Sequence, residues 1–278
     1  MRRLVIGSLI ALAVAYAGVC AAIWYKQGDF IFYPSRTVGT TPADFGARFE
    51  RVVLALDHDR LAGWWIPAKE PGTRTLLYLH GNAGNIGPNA EHAVRLQNAG
   101  LNVLVVDYRG YGESTGGPPT EKRLYADAER MWGYLVQERK IAAPDVVIYG
   151  HSLGGAVAIE LASRHPEAGA LIVESSFTSI RDFATGTRFA YLPLNLIVTE
   201  KFDSISKVGA IRVPKLFLHG DADTTTAPGM TARLFAAAGE PKRLAIIPGG
   251  HHDDSASVNP AAYFEAVKNL LGPAREAR

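Results

Sequence analysis

Six short apolar runs, each separated from the next by enough chain for a helix, constrain this sequence more than any other feature. They are Leu76–Leu79, Val103–Val106, Val146–Tyr149, Leu171–Val173, Leu216–Leu218 and Leu244–Ile247. None alternates apolar with polar residues, which is the pattern of parallel strands covered on both faces. Helical patterns fill the intervals, at Asn89–Asn98, Thr120–Arg139, Leu153–Arg164, Met230–Ala238 and Ala261–Leu271. Ahead of them, Phe49–Leu56 and Leu61–Ile66 read as an antiparallel hairpin across Asp57-His58-Asp59-Arg60. The predicted architecture is a three-layer α/β sandwich, its sheet mostly parallel with an antiparallel N-terminal hairpin. Two intervals exceed the roughly 30 residues a βα unit needs. One holds the Gly/Pro-rich turn Arg109–Pro119. The other is a cap-like insertion at about residues 177–214, with an apolar cluster between Tyr191 and Val198.

The N-terminal 36 residues have a different character. Leu4 to Tyr25 carries no charge. As a helix this run is about 33 Å long, enough to cross a hydrocarbon core of about 30 Å. Arg2 and Arg3 precede it, and Trp24 and Tyr25 close it, as at the two interfaces of a single-pass anchor. The arginines place the N-terminus in the cytoplasm and residues 37–278 on the periplasmic or extracellular side. The rival reading is a signal sequence cleaved after Ala15-Tyr16-Ala17 and a secreted product. Cys20 is a poor lipidation site because the bulky Val19 precedes it.

Composition narrows the class of function. The formal net charge is only +2 and there is no basic run in the body of the chain, which argues against nucleic-acid binding. A single cysteine excludes a disulfide framework and a cysteine zinc cluster.

Chemistry is concentrated at the strand ends. Gly150-His151-Ser152-Leu153-Gly154-Gly155 fits G-x-S-x-G, with an apolar strand just before it and the Ala-rich stretch Ala156–Ser163 just after. That strand–turn–helix setting lifts a serine hydroxyl above the sheet at a helix N-terminus. The plainer reading makes Ser152 an N-cap. A serine nucleophile needs a base and an orienting acid. His251 and His252 both follow the last strand, and spacing alone does not separate them. Asp221 and Asp223 follow the fifth run, with Glu174 a more distant acid. The order Ser152, Asp223, His251 is the order of a hydrolase with this topology. A metal site at His251-His252-Asp253-Asp254 is disfavoured, because adjacent loop histidines rarely ligate one ion. In His80-Gly81-Asn82-Ala83-Gly84-Asn85 the glycines let backbone N–H groups face a ligand. The N–H groups of Asn82 and Leu153 are candidates for an oxyanion hole. His80 reads as a hydrogen-bonded structural residue, and no phosphate-binding loop is present.

Taken together, the His80–Asn85 and Gly150–Gly155 motifs, Asp107-Tyr108-Arg109-Gly110-Tyr111-Gly112-Glu113-Ser114, Glu174-Ser175-Ser176-Phe177 and Gly250-His251-His252-Asp253 resemble the α/β-hydrolase superfamily. The similarity is to its membrane-anchored serine hydrolases of the serine-aminopeptidase-like or depalmitoylase-like kind. Phe30-Ile31-Phe32-Tyr33-Pro34 after an anchor fits that subgroup too. The resemblance implies Ser152 as nucleophile, Asp223 as acid, His251 as base and Asn82 and Leu153 as oxyanion donors. It implies no metal or organic cofactor, and a structural Asp107–Ser114 turn with Tyr108 at the pocket. The substrates it implies are an acylated small molecule, a lipid or an acyl-protein, cleaved at an ester, thioester or amide bond. Acyl transfer to another acceptor, or a catalytically silent binding module, are the alternatives. One departure concerns the acid: the family places a proline four residues after it, whereas Pro228 lies five after Asp223, which keeps Asp221 open.

Overall fold

The computed structural model describes residues 1–56, 58–70 and 74–272, so Asp57 of the hairpin turn and the last residues of the chain lie outside the described residues. The strands are β1 (Tyr33–Pro34), β2 (Glu50–Leu56), β3 (Asp59–Ile66), β4 (Thr75–Leu79), β5 (Ala83–Gly84), β6 (Asn102–Val106), β7 (Val146–His151), β8 (Ala170–Glu174), β9 (Lys215–Gly220) and β10 (Lys242–Ile247). The helices are α1 (Arg2–Ile31), α2 (Ala90–Asn98), α3 (Glu121–Gly133), α4 (Leu153–Arg164), α5 (Ile180–Thr185), α6 (Leu194–Ile197), α7 (Pro228–Ala237), α8 (Ser255–Val258) and α9 (Pro260–Leu271).

Eight strands form one sheet in the order β10-β9-β8-β7-β4-β6-β3-β2. β2 and β3 pair antiparallel, β3 pairs antiparallel with β6, and every other neighbour in the sheet is parallel. The central strands β4, β7, β8 and β9 are buried at every position, as continuous apolar runs require when helices cover both faces. Successive residues face opposite sides, so two cores form. Leu77, Leu79, Ile148 and Val173 meet α3 and α4 on one side. Leu76, Tyr78, Tyr149 and Ile172 meet α2 and α9 on the other. The edge strand β2 buries Val52 and Leu54 and turns Val53 between them to solvent.

One helix differs from the expected pattern. The helix expected over Thr120–Arg139 is an α-helix only to Gly133 and continues as a π-helical turn, Tyr134–Glu138. Its start is fixed by Thr120, whose side chain accepts the Arg123 N–H. The segment 177–214 contains two short helices, α5 and α6, a 3-10 turn at Val208–Ala210 and otherwise irregular chain; part of it, referred to as the cap, lies beside Ser152 and the end of α1.

α1 is long and apolar enough to cross a membrane, and most of its length lies free of the rest of the protein. Its C-terminal end does not. Phe32 is buried in the core, and the chain after it pairs with the glycine-rich loop through β1 and β5. Packing therefore joins the end of α1 and β1 to the body of the fold.

Candidate active site

Ser152 sits between the end of β7 and the first turn of α4 with φ 53° and ψ −118°. A non-glycine residue in this region costs on the order of 1–3 kcal/mol, so its surroundings must hold it there. Its N–H donates to Glu174 O at 2.9 Å, and its carbonyl accepts from Gly155 N–H at 2.9 Å and from Ser176 Oγ at 2.8 Å. The flanking glycines are required by space. A Cβ on Gly154 would lie 2.0 Å from Leu79 O, and one on Gly150 2.1 Å from Gly154 O. Gly154→Ala must push α4 off β4. It is expected to cost about 3 kcal/mol or more and to lower Tm by roughly 6–12 °C in a thermal melt followed by circular dichroism.

The hydroxyl of Ser152 donates to Nε2 of His252 at 3.0 Å, and Nδ1–H of His252 donates to Oδ2 of Asp223 at 2.8 Å. The expectation of His251 at this position is therefore corrected: the imidazole against Ser152 belongs to the next residue. Asp254 is the reason. It accepts the His251 backbone N–H at 2.6 Å through Oδ1 and faces His251 Nδ1 at 3.0 Å through Oδ2. This local ring turns the His251 side chain outward, where it is 64% exposed, and leaves its neighbour pointing inward.

Of the two aspartates, Asp223 is the one at the imidazole. Asp221 accepts the Gly249 N–H at 2.7 Å and braces the turn between β9 and the β10 loop. Asp223 is buried but well supplied with donors. Its Oδ1 accepts the N–H groups of Thr225 (2.8 Å) and Thr226 (2.9 Å), and its Oδ2 also lies 3.2 Å from His219 Nε2. Burial alone would raise its pKa. The bonds from His219, His252 and Thr226 outweigh burial and hold the carboxyl far below the usual carboxylate range. For His252 burial works toward a lower pKa, and the hydrogen bond and charge of Asp223 raise it above 6.5 overall. His219 was not singled out by sequence reasoning. It is fully buried, with Nδ1 2.7 Å from Thr231 Oγ1, and braces Asp223 from behind. Its place in His219-Gly220-Asp221-Ala222-Asp223, four residues before the acid, is the signal that marks it.

Glu174, the third acid considered, lies in the core and accepts the hydroxyls of Tyr149 (2.7 Å) and Tyr263 (2.6 Å). His80 is buried against Tyr108, their ring centroids 4.5 Å apart, with Nδ1 2.8 Å from Gly81 O. Burial pushes its imidazole down to about 4, so it is neutral near pH 7. Tyr108 lies beneath this loop, its hydroxyl donating to His80 O, and does not line the cleft.

The glycine-rich loop lies directly over the serine: a Cβ on Gly81 would sit 3.5 Å from Ser152 Cβ. The Asn82 carbonyl accepts from Tyr33 N–H and Tyr111 OH, and its side-chain amide donates to Ile31 O at 2.8 Å. Among the described residues no protein acceptor is found for the backbone N–H of Asn82 or of Leu153, the two expected donors. Both residues line the cleft beside Ser152.

His151, His252 and Asp253 bring three ligand-type atoms within 4.8 Å of one another. Both ring nitrogens of His252 are already hydrogen-bonded, and His151 Nε2 is 2.7 Å from His252 O. Fewer free ligands remain than the three a catalytic zinc needs.

From Ser152 opens a cleft with about 950 Å³ of empty space, continuous with solvent. Its walls are apolar: Phe177 and Leu153 near the serine, Phe183, Phe189, Leu194 and Ile197 from the cap, and Ile23, Phe30 and Ile31 from α1.

Comparison with known proteins gives one consistent picture. The serine aminopeptidase, S33 family matches residues 71–205. An uncharacterized Mycobacterium tuberculosis protein is 34% identical over 272 residues, 97% of this chain and 95% of that one. Protein bem46 of Schizosaccharomyces pombe is 32% identical over 93% of this chain and 90% of its own length. An uncharacterized membrane protein of Saccharomyces cerevisiae is 30% identical over 97% and 96%. Among solved structures, a Pyrococcus furiosus esterase superposes with a TM-score of 0.69 at 23% identity, covering 87% of this chain and 97% of that one, which shows a shared fold.

Proposed function

Because this chain belongs to the α/β-hydrolase superfamily, we propose that it is a membrane-anchored serine hydrolase that cleaves carboxylic ester or thioester bonds through an acyl-enzyme on Ser152. The observation that carries this reading is the unbroken chain of short hydrogen bonds from Ser152 through His252 to Asp223.

In this mechanism His252 Nε2 takes the Ser152 proton as Oγ attacks the acyl carbonyl. Asp223 keeps the proton of the resting imidazole on Nδ1 and stabilises the imidazolium that forms. The N–H groups of Leu153 and Asn82 receive the negative charge of the tetrahedral intermediate, each such donor being worth about 3–4 kcal/mol. The imidazolium returns its proton to the leaving group. Water, activated by the same imidazole, then releases the acid and regenerates Ser152. These steps need no metal and no organic cofactor. A serine at the elbow also sets the reading apart from epoxide and haloalkane hydrolases, whose nucleophile is an aspartate.

The substrate is an acylated small molecule, lipid or acyl-protein near a bilayer, as the apolar cleft and α1 favour. Arg2 and Arg3 in the first turn of α1 favour an N-terminus in the cytoplasm and a hydrolytic body on the other side. The test is hydrolysis of a matched panel of p-nitrophenyl esters and acyl thioesters by the full chain in detergent, with Ser152→Ala beside it. Turnover of at least one class is expected, falling to background in the variant. Turnover that persists in Ser152→Ala contradicts the assignment, and acyl transfer to an added alcohol or thiol in place of water would redefine the reaction as a transferase.

A further inference from the structure

We propose that α1 is one wall of the acyl-binding site, and that the site takes a long acyl chain presented from a lipid leaflet through the gap between α1 and the cap; this rests on the hydrolase reading above.

Three independent observations carry it. The first is that α1 residues face the cleft that holds Ser152. Ile23, Gln27, Phe30 and Ile31 line it together with residues of the cap. A helix serving only as a tether has no reason to complete the nucleophile's pocket.

The second is that α1 is fastened to both sides of that cleft. Oε1 of Gln27 accepts the N–H groups of Thr199 (2.8 Å) and Glu200 (3.0 Å), just after α6 in the cap. The Phe30 ring meets Phe189 edge-on with centroids 5.4 Å apart, and Tyr16 OH donates to Tyr191 O at 3.0 Å. On the other side, Asn82 of the glycine-rich loop donates to Ile31 O at 2.8 Å. The helix end, the cap and the loop over Ser152 are thus one connected set.

The third is depth. Counting from Arg3 at about 1.5 Å per residue, Tyr16 lies about 20 Å along the helix, Ile23 about 30 Å and Ile31 about 42 Å. With Arg3 at one edge of a hydrocarbon core about 30 Å thick, Ile23 stands at the opposite edge and Ile31 about 12 Å outside it, just beyond the headgroup layer. The cap tip, held to Tyr16, then reaches about 10 Å into the far leaflet. The side chains it exposes there fit hydrocarbon: Tyr191 is 88% exposed and Leu196 75%. The Ile23 end of the cleft consequently forms an apolar mouth at the polar–apolar boundary, with Ser152 outside it. An acyl chain lying in the leaflet can slide into this mouth without passing through water, while its carbonyl stays at the level of the serine.

The test uses the full chain in phosphatidylcholine vesicles with two probes, p-nitrophenyl butyrate from water and p-nitrophenyl palmitate carried in the same vesicles. Ile23→Trp fills the α1 side of the cleft. It is expected to lower the palmitate-to-butyrate rate ratio at least tenfold, whereas Leu9→Trp, on the exposed face of α1, leaves the ratio as it is. Leu196→Asp, at an exposed position outside the cleft, puts a charge on the cap tip. It is expected to lower palmitate hydrolysis in vesicles at least tenfold relative to the same ester in detergent micelles. Fluorophosphonate labelling of each variant in detergent verifies that the serine site is folded. An unchanged ratio in a labelled Ile23→Trp protein, or equal losses in vesicles and micelles for Leu196→Asp, overturns the proposal. Failure of the wild type to turn over either probe, with no labelling of Ser152, overturns instead the hydrolase reading beneath it.

Discussion

Replacing His252 with alanine is expected to lower kcat for a short-chain ester by about 10⁴–10⁶, while His251→Ala leaves it nearly unchanged. The two residues are adjacent and chemically identical, so composition and gross charge cancel in the comparison. Only position differs. His252 bridges Ser152 and Asp223 through its two ring nitrogens. His251 is turned to solvent by Asp254. Without the imidazole, the serine proton has no acceptor, and the attacking oxygen must ionise unaided at a pH far below its own pKa. Steady-state kinetics on purified variants settles the matter, and a large loss in His251→Ala with a small one in His252→Ala would reverse the assignment.

Asp223→Asn is the second large effect, a loss of about 10⁴ in kcat with a displaced pH profile. The neutral amide offers no charge to fix the imidazole proton on Nδ1 or to stabilise the imidazolium. The sign of the pH effect follows from the same charge. Asp223 raises the pKa of His252 above 6.5 against the opposing effect of burial. The proposed mechanism uses the neutral imidazole, so the wild-type rate is expected to fall as pH drops through that raised value. Removing the carboxylate removes the largest raising contributions, so the acid limb of kcat/KM moves to lower pH in the variant. A limb that stays in place would mean that Asp223 does not act on His252. The matching linkage concerns stability. A carboxylate held well below its ordinary pKa contributes stability that is present above the unfolded-state value and is lost only as pH falls toward the folded one. Asp223→Asn therefore loses most stability at neutral pH and least in strong acid.

Much of this arrangement is legible in the residues. The buried strands announce themselves as runs of Leu, Ile and Val because helices cover both faces, and β4, β7, β8 and β9 fall where those runs lie. The turn at Ser152 is equally readable, since the space available at Gly150 and Gly154 admits no side chain. What the sequence left open depends on long-range geometry or on a single side chain's direction. His251 and His252 occupy the same loop with the same neighbours, and the choice between them turns on a ring closed by Asp254. Asp221 and Asp223 are likewise separated only by which way each carboxyl faces. The part of α1 in the cleft is invisible to periodicity, because Gln27 meets Thr199 and Glu200 across more than 170 residues of chain. A uniformly apolar helix reads the same whether lipid or protein covers its last turns.

The most direct measurement is the site of covalent capture. The full chain treated with a fluorophosphonate and mapped by peptide mass spectrometry is expected to carry one adduct, on Ser152. That adduct is expected at the wild-type rate in His251→Ala and at a rate reduced by orders of magnitude in His252→Ala. An adduct on another residue, or labelling of Ser152 that proceeds equally fast without His252, would contradict the assignment of Ser152 and His252 as nucleophile and base.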